Sequence, residues 1–323
     1  MQNPTDAGGD EVRPELCFRP PDPSVQTSLN KDLLRESWFI LPCNDGEALR
    51  SGQILAAAGA TRLHISDQAW GATLDRELPH LNWQHAEGAR RVVIFEIPGK
   101  HDRYGVSETE NLFCREGLEL VIIDHHTYHR VDRYCPESSL EQLCQLIGWQ
   151  LSFAEQAIAV NDRSYIPGLK RLGLNRSEIL AVRDFDYTAM GYHQAEIQEQ
   201  RSRVPEALDY WKQRKRGALW VLEKPAVIRH FLLEELAVSA PDGIVNVLEI
   251  SPDKLSFSGS PDVVRLLLDF DYRAFGPDSA YFCYSGGDPE GSRFWGFRPR
   301  HKSKKIPRSL IERLISDIRK ITG

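Results

Sequence analysis

Three adjacent side chains, Asp124, His125 and His126, follow an apolar run at residues 118–123. Carboxylate oxygens and imidazole nitrogens together suit manganese, iron, cobalt or zinc. Burying such groups without a partner is costly, so a bound metal or phosphate would explain their place at a strand end. A hydrogen-bonded turn with two surface histidines explains the tripeptide equally well, and the three residues alone do not decide between the two.

Other acidic residues stand at comparable points of the chain. Asp45 and Glu47 follow one predicted strand, Glu96 closes another, and Asp162 lies near the predicted end of a helix. Each residue taken singly is more often a solvated turn residue than a ligand. A two-metal site needs several carboxylates, one of them bridging ions about 3.5–4 Å apart, and it activates water for attack on phosphorus. The shared placement of these residues therefore favours phosphoester hydrolysis.

The elements that must position these residues alternate between apolar strands and helices. Strands are predicted over residues 37–41, 91–97 and 118–123, and helices over residues 47–59 and 140–158. This order predicts an α/β fold with a mainly parallel sheet flanked by helices. Ligand sites in such sheets lie at the carboxyl ends of the strands, which is where the acidic and histidine residues fall.

The length of 323 residues suggests two domains at roughly 150 residues each. Residues 1–30 are rich in proline and poor in apolar residues, so a flexible segment or a surface strap is predicted there. A highly charged helical stretch ends near residue 210, and strand-like patterning resumes at residues 219–222. The predicted segments are therefore residues 1–30, 31–210 and 211–323.

Composition excludes several kinds of protein. A formal net charge of −6 excludes a chain-wide basic field, so no long duplex nucleic acid is expected as a partner. No apolar run reaches the ~20 residues that span a bilayer, so no membrane partner is expected. The six cysteines form no C-x-x-C pair and the first ten residues lack an apolar core, which together predict free thiols and a cytoplasmic location.

Several of these residues fall in motifs that resemble the DHH phosphoesterase superfamily, in particular its RecJ-like and nano-RNase-like members. Asp124, His125 and His126 form the motif that names the superfamily. The other resembling segments, in chain order, are residues 44–51, Glu96, residues 161–163 and residues 285–289. The resemblance covers about residues 37–300. It implies a metal-binding catalytic domain followed by a smaller α/β substrate-binding domain with a mixed sheet.

The resemblance also implies a ligand set for one or two divalent cations, with manganese the expected metal. Asp45 would hold one ion, and Glu96 would bridge both ions. The second ion would be held by Glu47, His125 and Asp162.

For substrate, the resemblance implies that His126 contacts the scissile phosphate and that Asp124 orients the histidines during catalysis. Further implied substrate contacts lie in the C-terminal domain: Gly286, Gly287, Arg300 and Lys302. A solvated surface explains the basic residues at least as well.

Some positions depart from the superfamily pattern. Leu41 stands where the first motif begins with a metal-binding histidine, and Arg50 stands where that motif has glycine. Glu47 and Glu96 replace aspartates and reach about one methylene further. Asp288 replaces a histidine and would repel phosphate. Nearby side chains that could supply a replacement ligand, or could simply be packing residues, are Cys43 and His64.

The sequence thus leaves more than one function open. The first is a metal-dependent phosphoesterase that hydrolyses a short nucleotide, either an oligoribonucleotide or a cyclic or linear dinucleotide, or another small phosphate ester. The second is a degenerate member that binds a nucleotide or a protein without hydrolysing it, and the third is a pyrophosphate or polyphosphate hydrolase. A homodimer is left open.

Overall fold

Two β-sheets and the helices around them form the framework of the chain. A computed structural model describes residues 12–69, 71–99, 106–126, 132–212, 215, 217–223, 228–251, 253–275, 281–288, 291–299 and 305–322. No helix in those ranges is both long enough and apolar enough to cross a membrane.

The first sheet has four parallel strands in the order β2-β1-β3-β4. Its strands are β1 (Ser37–Leu41), β2 (Leu63–Ile65), β3 (Arg91–Phe95) and β4 (Glu119–Ile123). Its flanking helices are α1 (Lys31–Glu36), α2 (Gly46–Ala58), α3 (Leu74–Glu77), α4 (Glu108–Arg115), α5 (Ser139–Ile147), α6 (Phe153–Arg171) and α7 (Arg176–Ala189). The next helix, α8 (Gln194–Lys212), packs against the second sheet. The predicted mainly parallel sheet flanked by helices is confirmed.

Strand β1 shows why this sheet is covered on both faces. All five of its residues are buried. Trp38 and Ile40 enter one hydrophobic cluster, and Phe39 and Leu41 enter another on the opposite face. Successive side chains of a strand point to opposite faces, so a continuous apolar run requires helices on both sides.

The second sheet is mixed, with five strands in the order β5-β6-β7-β9-β8. Its strands are β5 (Leu219–Glu223), β6 (Asn246–Ser251), β7 (Lys254–Gly259), β8 (Tyr281–Gly287) and β9 (Arg293–Pro299), and its helices are α9 (Arg229–Ser239), α10 (Pro261–Phe275) and α11 (Arg308–Thr322). Between these described strands, the β5–β6 pairing is parallel and the other three pairings are antiparallel. The predicted mixed sheet of a second α/β unit is confirmed.

The single helix expected over residues 140–158 is wrong, because the chain forms two helices there, α5 and α6. Gly148 ends α5 in a left-handed conformation with φ of 73°. Ser152 then begins α6, accepting a hydrogen bond from the backbone N–H of Glu155. The apolar spacing continues through the break because both helices pack on the same core.

Residues 12–30 lie along the helices of the first sheet. Leu16 is buried among side chains of α6 and α7, and Gln26 and Gln150 exchange hydrogen bonds through side chain and backbone. Residues 1–11 lie outside the described part of the chain, and the three predicted segment limits stay predictions.

Candidate metal centre

Four ligand-type side chains meet at the carboxyl edge of the first sheet. Glu47 lies in the first turn of α2, Glu96 directly follows β3, and His125 is the second residue after β4. Asp162 reaches the same point from α6. One ligand atom from each of the four lies within 4.8 Å of the corresponding atoms of the others. The parallel register explains the first three, since it aligns the ends of β1, β3 and β4.

The imidazole of His125 stands at the centre of this group. Its Nε2 lies 2.7 Å from Asp162 Oδ2, 3.2 Å from Glu96 Oε1 and 4.0 Å from Glu47 Oε2. Within the described structure, Nε2 of His125, Oδ2 of Asp162 and Oε2 of Glu47 are buried without a hydrogen bond of acceptable geometry. Buried polar atoms are almost always hydrogen-bonded, so three converging exceptions need an explanation. Their chemistry fits a divalent cation.

The electrostatics of the group also favour a cation. Burial, together with the charges of Asp162 and Glu96, raises the pKa of Glu47 well above its usual value. Burial opposes protonation of His125, yet the carboxylates of Asp162 and Glu96 raise its pKa well above the ordinary value. Protons thus offset an excess of buried negative charge, and a metal ion would displace them.

The backbone is strained next to two of the four side chains. Glu96 itself has φ of 50° and Tyr165, three residues after Asp162, has φ of 52°, and these are the non-glycine residues with positive φ in the described part of the chain. Such strain costs of order 1–3 kcal/mol and clusters at functional sites. The carboxylate of Glu96 is held in place by Ser139, whose hydroxyl donates to Oε1 at 2.7 Å.

Asp162 was expected near the end of a helix. Helical backbone is interrupted at Tyr165, three residues after Asp162, and a second helical segment continues to Arg171. Asp162 therefore lies near the end of the first segment of α6, although the element as a whole extends beyond the kink.

His126 and Asp124 lie beside the group and contact each other. His126 Nδ1 lies 3.1 Å from Asp124 Oδ1, which also accepts a hydrogen bond from the backbone N–H of His126. Burial opposes protonation of His126, but the bond to Asp124 and the charge of Glu96 raise its pKa. The rings of His125 and His126 are 4.4 Å apart, so orienting one restricts the other.

Two residues behind Asp124 were missed by sequence reasoning. Arg133 Nη1 lies 3.5 Å from Asp124 Oδ2, and its Nη2 donates to Glu110 Oε1 at 2.6 Å. Glu110 is fully buried and also accepts from the backbone N–H groups of Gly99 and Ser107. Ser107 and Glu110 form a capping box, a spacing that could have been recognised in the sequence.

Asp45 stands apart from the four converging side chains. Its Oδ1 caps α2 by accepting from the backbone N–H of Ala48 at 2.8 Å. Among the described residues, Asp45 belongs neither to the four-residue group nor to the second group of converging ligand atoms, formed by Glu96, His125 and His126. Burial and the charges of Asp162 and Glu96 raise its pKa well above the usual value, so it belongs to the same electrostatic environment.

The departures in the first motif have separate structural explanations. Leu41 is a core residue with 1% of its surface exposed. Arg50 is buried and donates to Glu155 Oε1 from Nε and Nη2, so its charge is neutralised within the helix layer. Nε2 of His64 lies 2.6 Å from Oε1 of Glu77, and Cys43 is exposed. Neither of these two replacement candidates joins a converging group among the described residues.

The glycine-rich segment has a clear steric requirement. A Cβ at Gly286 would lie 2.6 Å from the ring of Phe294, and Gly287 has φ of 90°. Asp288 pairs with Arg171 and accepts a hydrogen bond from Ser164, both on α6, so it ties this hairpin to the helix that carries Asp162. Arg300 and Lys302 lie outside the described residues. Substrate contact by any of the four expected residues stays a prediction.

Comparison with known proteins gives structural neighbours only. No protein-family model and no curated protein matches the chain. A structure of exonuclease RecJ bound to manganese is similar with a TM-score of 0.41 and 12% identity, over 92% of this chain and 95% of that one. A structure of RecJ from Thermus thermophilus in complex with Mn²⁺ is similar with a TM-score of 0.42 and 13% identity, over 95% of this chain and 56% of that one. The structure of the same Thermus protein in complex with Mg²⁺ has a TM-score of 0.35 and 12% identity, over 95% of this chain and 54% of that one. The chain thus spans about half the length of the Thermus chains.

Proposed function

We propose that the protein is a metal-dependent phosphoesterase, with Glu47, Glu96, His125 and Asp162 as the ligands of a divalent cation. The observation that carries the proposal is the convergence of three buried ligand atoms that make no hydrogen bond of acceptable geometry among the described residues: Glu47 Oε2, His125 Nε2 and Asp162 Oδ2. A cluster of carboxylates is costly to bury unless protons or a cation offset its negative charge, and a divalent cation would do so.

A bound divalent cation supplies an activated water and neutralises charge on phosphoryl oxygens. The chain's own residues do the rest. Asp124 fixes the ring of His126 through Nδ1, and the raised pKa of His126 favours the imidazolium form. An imidazolium beside the metal group donates a hydrogen bond to a non-bridging phosphate oxygen and stabilises the charge that develops there.

We propose that the four-residue group holds one ion tightly and that Asp45 serves a second, weaker one. Leu41 provides no ligand atom on the Asp45 side, and the carboxylate of Asp45 already accepts a helix-capping hydrogen bond. Manganese is the proposed metal because mixed carboxylate and imidazole ligands suit it.

The proposed substrate is a short nucleotide. The net charge of −6 works against long nucleic acids, whose binding depends on many phosphate contacts with basic residues. A dinucleotide or a short oligoribonucleotide needs few such contacts.

The test combines metal content by mass spectrometry with hydrolysis of an RNA dinucleotide in added Mn²⁺. Bound metal with turnover is expected for the wild type. His125→Ala is expected to lose both, because it removes the central ligand, while the exposed His80→Ala serves as a matched histidine control.

Full turnover by His125→Ala would contradict the mechanism. Absence of both metal and turnover in the wild type would favour the non-hydrolytic binding protein. A cyclic dinucleotide and inorganic pyrophosphate complete the substrate panel, and turnover of pyrophosphate alone would favour the phosphoanhydride hydrolase.

A further inference from the structure

Arg183 is a buried arginine on α7 that lies behind the metal centre. Hydrogen bonds link it to the two helical segments that carry the carboxylates of Glu47 and Asp162. We propose that Arg183 is a positioning residue that fixes Glu47 and Asp162 relative to each other. The inference rests on the proposed function and extends it to a residue that does not contact the metal group.

The contacts start from one nitrogen atom. Arg183 Nη1 donates to Asn161 Oδ1 at 3.0 Å and to Asp186 Oδ2 at 2.6 Å. Asn161 immediately precedes Asp162. The other oxygen of Asp186 accepts from the backbone N–H of Gly46 at 2.9 Å, one residue before Glu47. A single guanidinium therefore links the two segments through one hydrogen-bonded residue on each side.

The guanidinium has little freedom to move. It lies 4.7 Å from the ring of Tyr165 and 4.6 Å from the ring of Tyr187, so aromatic faces lie against it from both residues. Tyr187 is fully buried and the Arg183 side chain is 5% exposed. The planar guanidinium packs against two aromatic rings, which fixes the direction of its hydrogen bonds. The compact ammonium group of lysine cannot reproduce that direction.

Gly46 adds a second constraint on the same contact. A Cβ at this position would lie 3.2 Å from both the Cα and Oδ1 of Asp186. The start of α2 thus packs directly on α7 where Arg183 holds Asp186. A shift of Asp186 would move the turn that carries Glu47.

A purely electrostatic role for Arg183 makes the opposite prediction for metal binding. Removing a cation near an acidic centre would strengthen cation binding, since Asp186 would be left uncompensated. Removing a positioning residue would weaken it, because the ligands would no longer be held in register. The direction of the change in Mn²⁺ affinity therefore separates the two roles.

The experiment measures Mn²⁺ affinity by electron paramagnetic resonance, together with thermal unfolding of the metal-free protein. Arg183→Met is expected to bind Mn²⁺ ~10–100-fold more weakly, the usual range for partners of metal ligands. Arg183→Lys is expected to be weakened as well, and the spectrum of bound Mn²⁺ is expected to broaden in both variants. Asn161→Ala removes only the link to Asp162 and is expected to weaken binding about tenfold.

Arg176→Met is the matched control. Arg176 also lies on α7 and pairs with Glu235 of α9, but it is 49% exposed and its ion pair lies outside the contacts to Asn161 and Asp186. It is expected to bind Mn²⁺ like the wild type.

Folded Arg183 variants that bind Mn²⁺ as tightly as the wild type, or more tightly, would overturn the inference while leaving the proposed function intact. A wild type that binds no Mn²⁺ would overturn both. If Arg183→Met fails to fold, Asn161→Ala decides, and unchanged Mn²⁺ affinity in that variant would overturn the inference.

Discussion

Glu47 and Glu110 are buried to the same extent in the same α/β unit, but their surroundings differ. Glu47 is 1% exposed and Glu110 is 0% exposed. Both oxygens of Glu110 accept backbone N–H groups, and Arg133 adds a cation to one of them. Glu47 accepts one backbone N–H, from Leu140, through Oε1, while its Oε2 makes no hydrogen bond of acceptable geometry with the described residues.

The pKa values of the two carboxyls move in opposite directions for this reason. Burial would raise the pKa of Glu110, but the bonds from Arg133 and the backbone lower it. Burial and neighbouring carboxylates raise that of Glu47. The protein supplies a permanently charged arginine to Glu110, whereas Glu47 has only the titratable imidazole of His125, 4.0 Å from its Oε2. A buried carboxylate without a permanent cation beside it marks the place where an external cation is expected.

The largest expected effect on stability comes from the satisfied glutamate. Glu110→Gln should lower the free energy of unfolding by about 3 kcal/mol, because it removes the nearer of the two carboxylates that pair with the nearly buried Arg133. Urea unfolding measures the change, with the exposed Glu108→Gln as a control expected within about 0.5 kcal/mol of the wild type. Equal effects of the two substitutions would remove the contrast with Glu47.

A partly buried histidine on α9 that is expected to stay uncharged extends the comparison. Burial and the charges of Arg183 and Arg229 lower the pKa of His230 to about 3. The unfolded chain binds a proton near pH 6.5 and the folded chain does not, so this contribution is present above pH 6.5 and is lost as pH falls towards 3.

At pH 5 the expected loss is about 2 kcal/mol, at about 1.4 kcal/mol per pKa unit. Unfolding of wild type and His230→Gln at pH 5 and pH 8 measures it, since the variant should lack this part of the pH dependence. An identical pH dependence in both proteins would show that His230 titrates normally.

The smallest expected effect on stability is a stabilisation, opposite in sign to the effect of Glu110→Gln. Glu47→Gln should raise the free energy of unfolding of the metal-free protein at pH 7 by about 1 kcal/mol. The amide keeps the bond from Leu140 and removes a charge whose raised pKa disfavours its ionised form.

Added Mn²⁺ should reverse the order, stabilising the wild type more than Glu47→Gln, as differential scanning fluorimetry would show. Destabilisation of the metal-free variant would place Glu47 with Glu110, as a carboxylate with an internal partner.

Local sequence pattern was sufficient to predict the residues at the strand ends. Apolar runs predicted β1, β3 and β4, and polar residues after such runs in a parallel sheet must share one edge. The sequence pattern is therefore sufficient to predict that Glu96 and His125 lie close together. Asp162 required the resemblance of residues 161–163, and the sequence did not show that a second helical segment follows the kink at Tyr165, where Tyr165 packs against Arg183 of α7.

Tertiary structure alone decided which buried charges have partners. Leu140 is 93 residues from Glu47, and Arg133 is 23 residues from Glu110. No local propensity encodes such pairs, because each depends on how separate helices and loops pack over the sheet. The amino-acid sequence is sufficient to indicate that carboxylates and histidines gather at one edge. The fold determines that Glu110 is paired with an arginine and that Glu47 is not, because the net cost of a buried charge depends on the atoms packed around it.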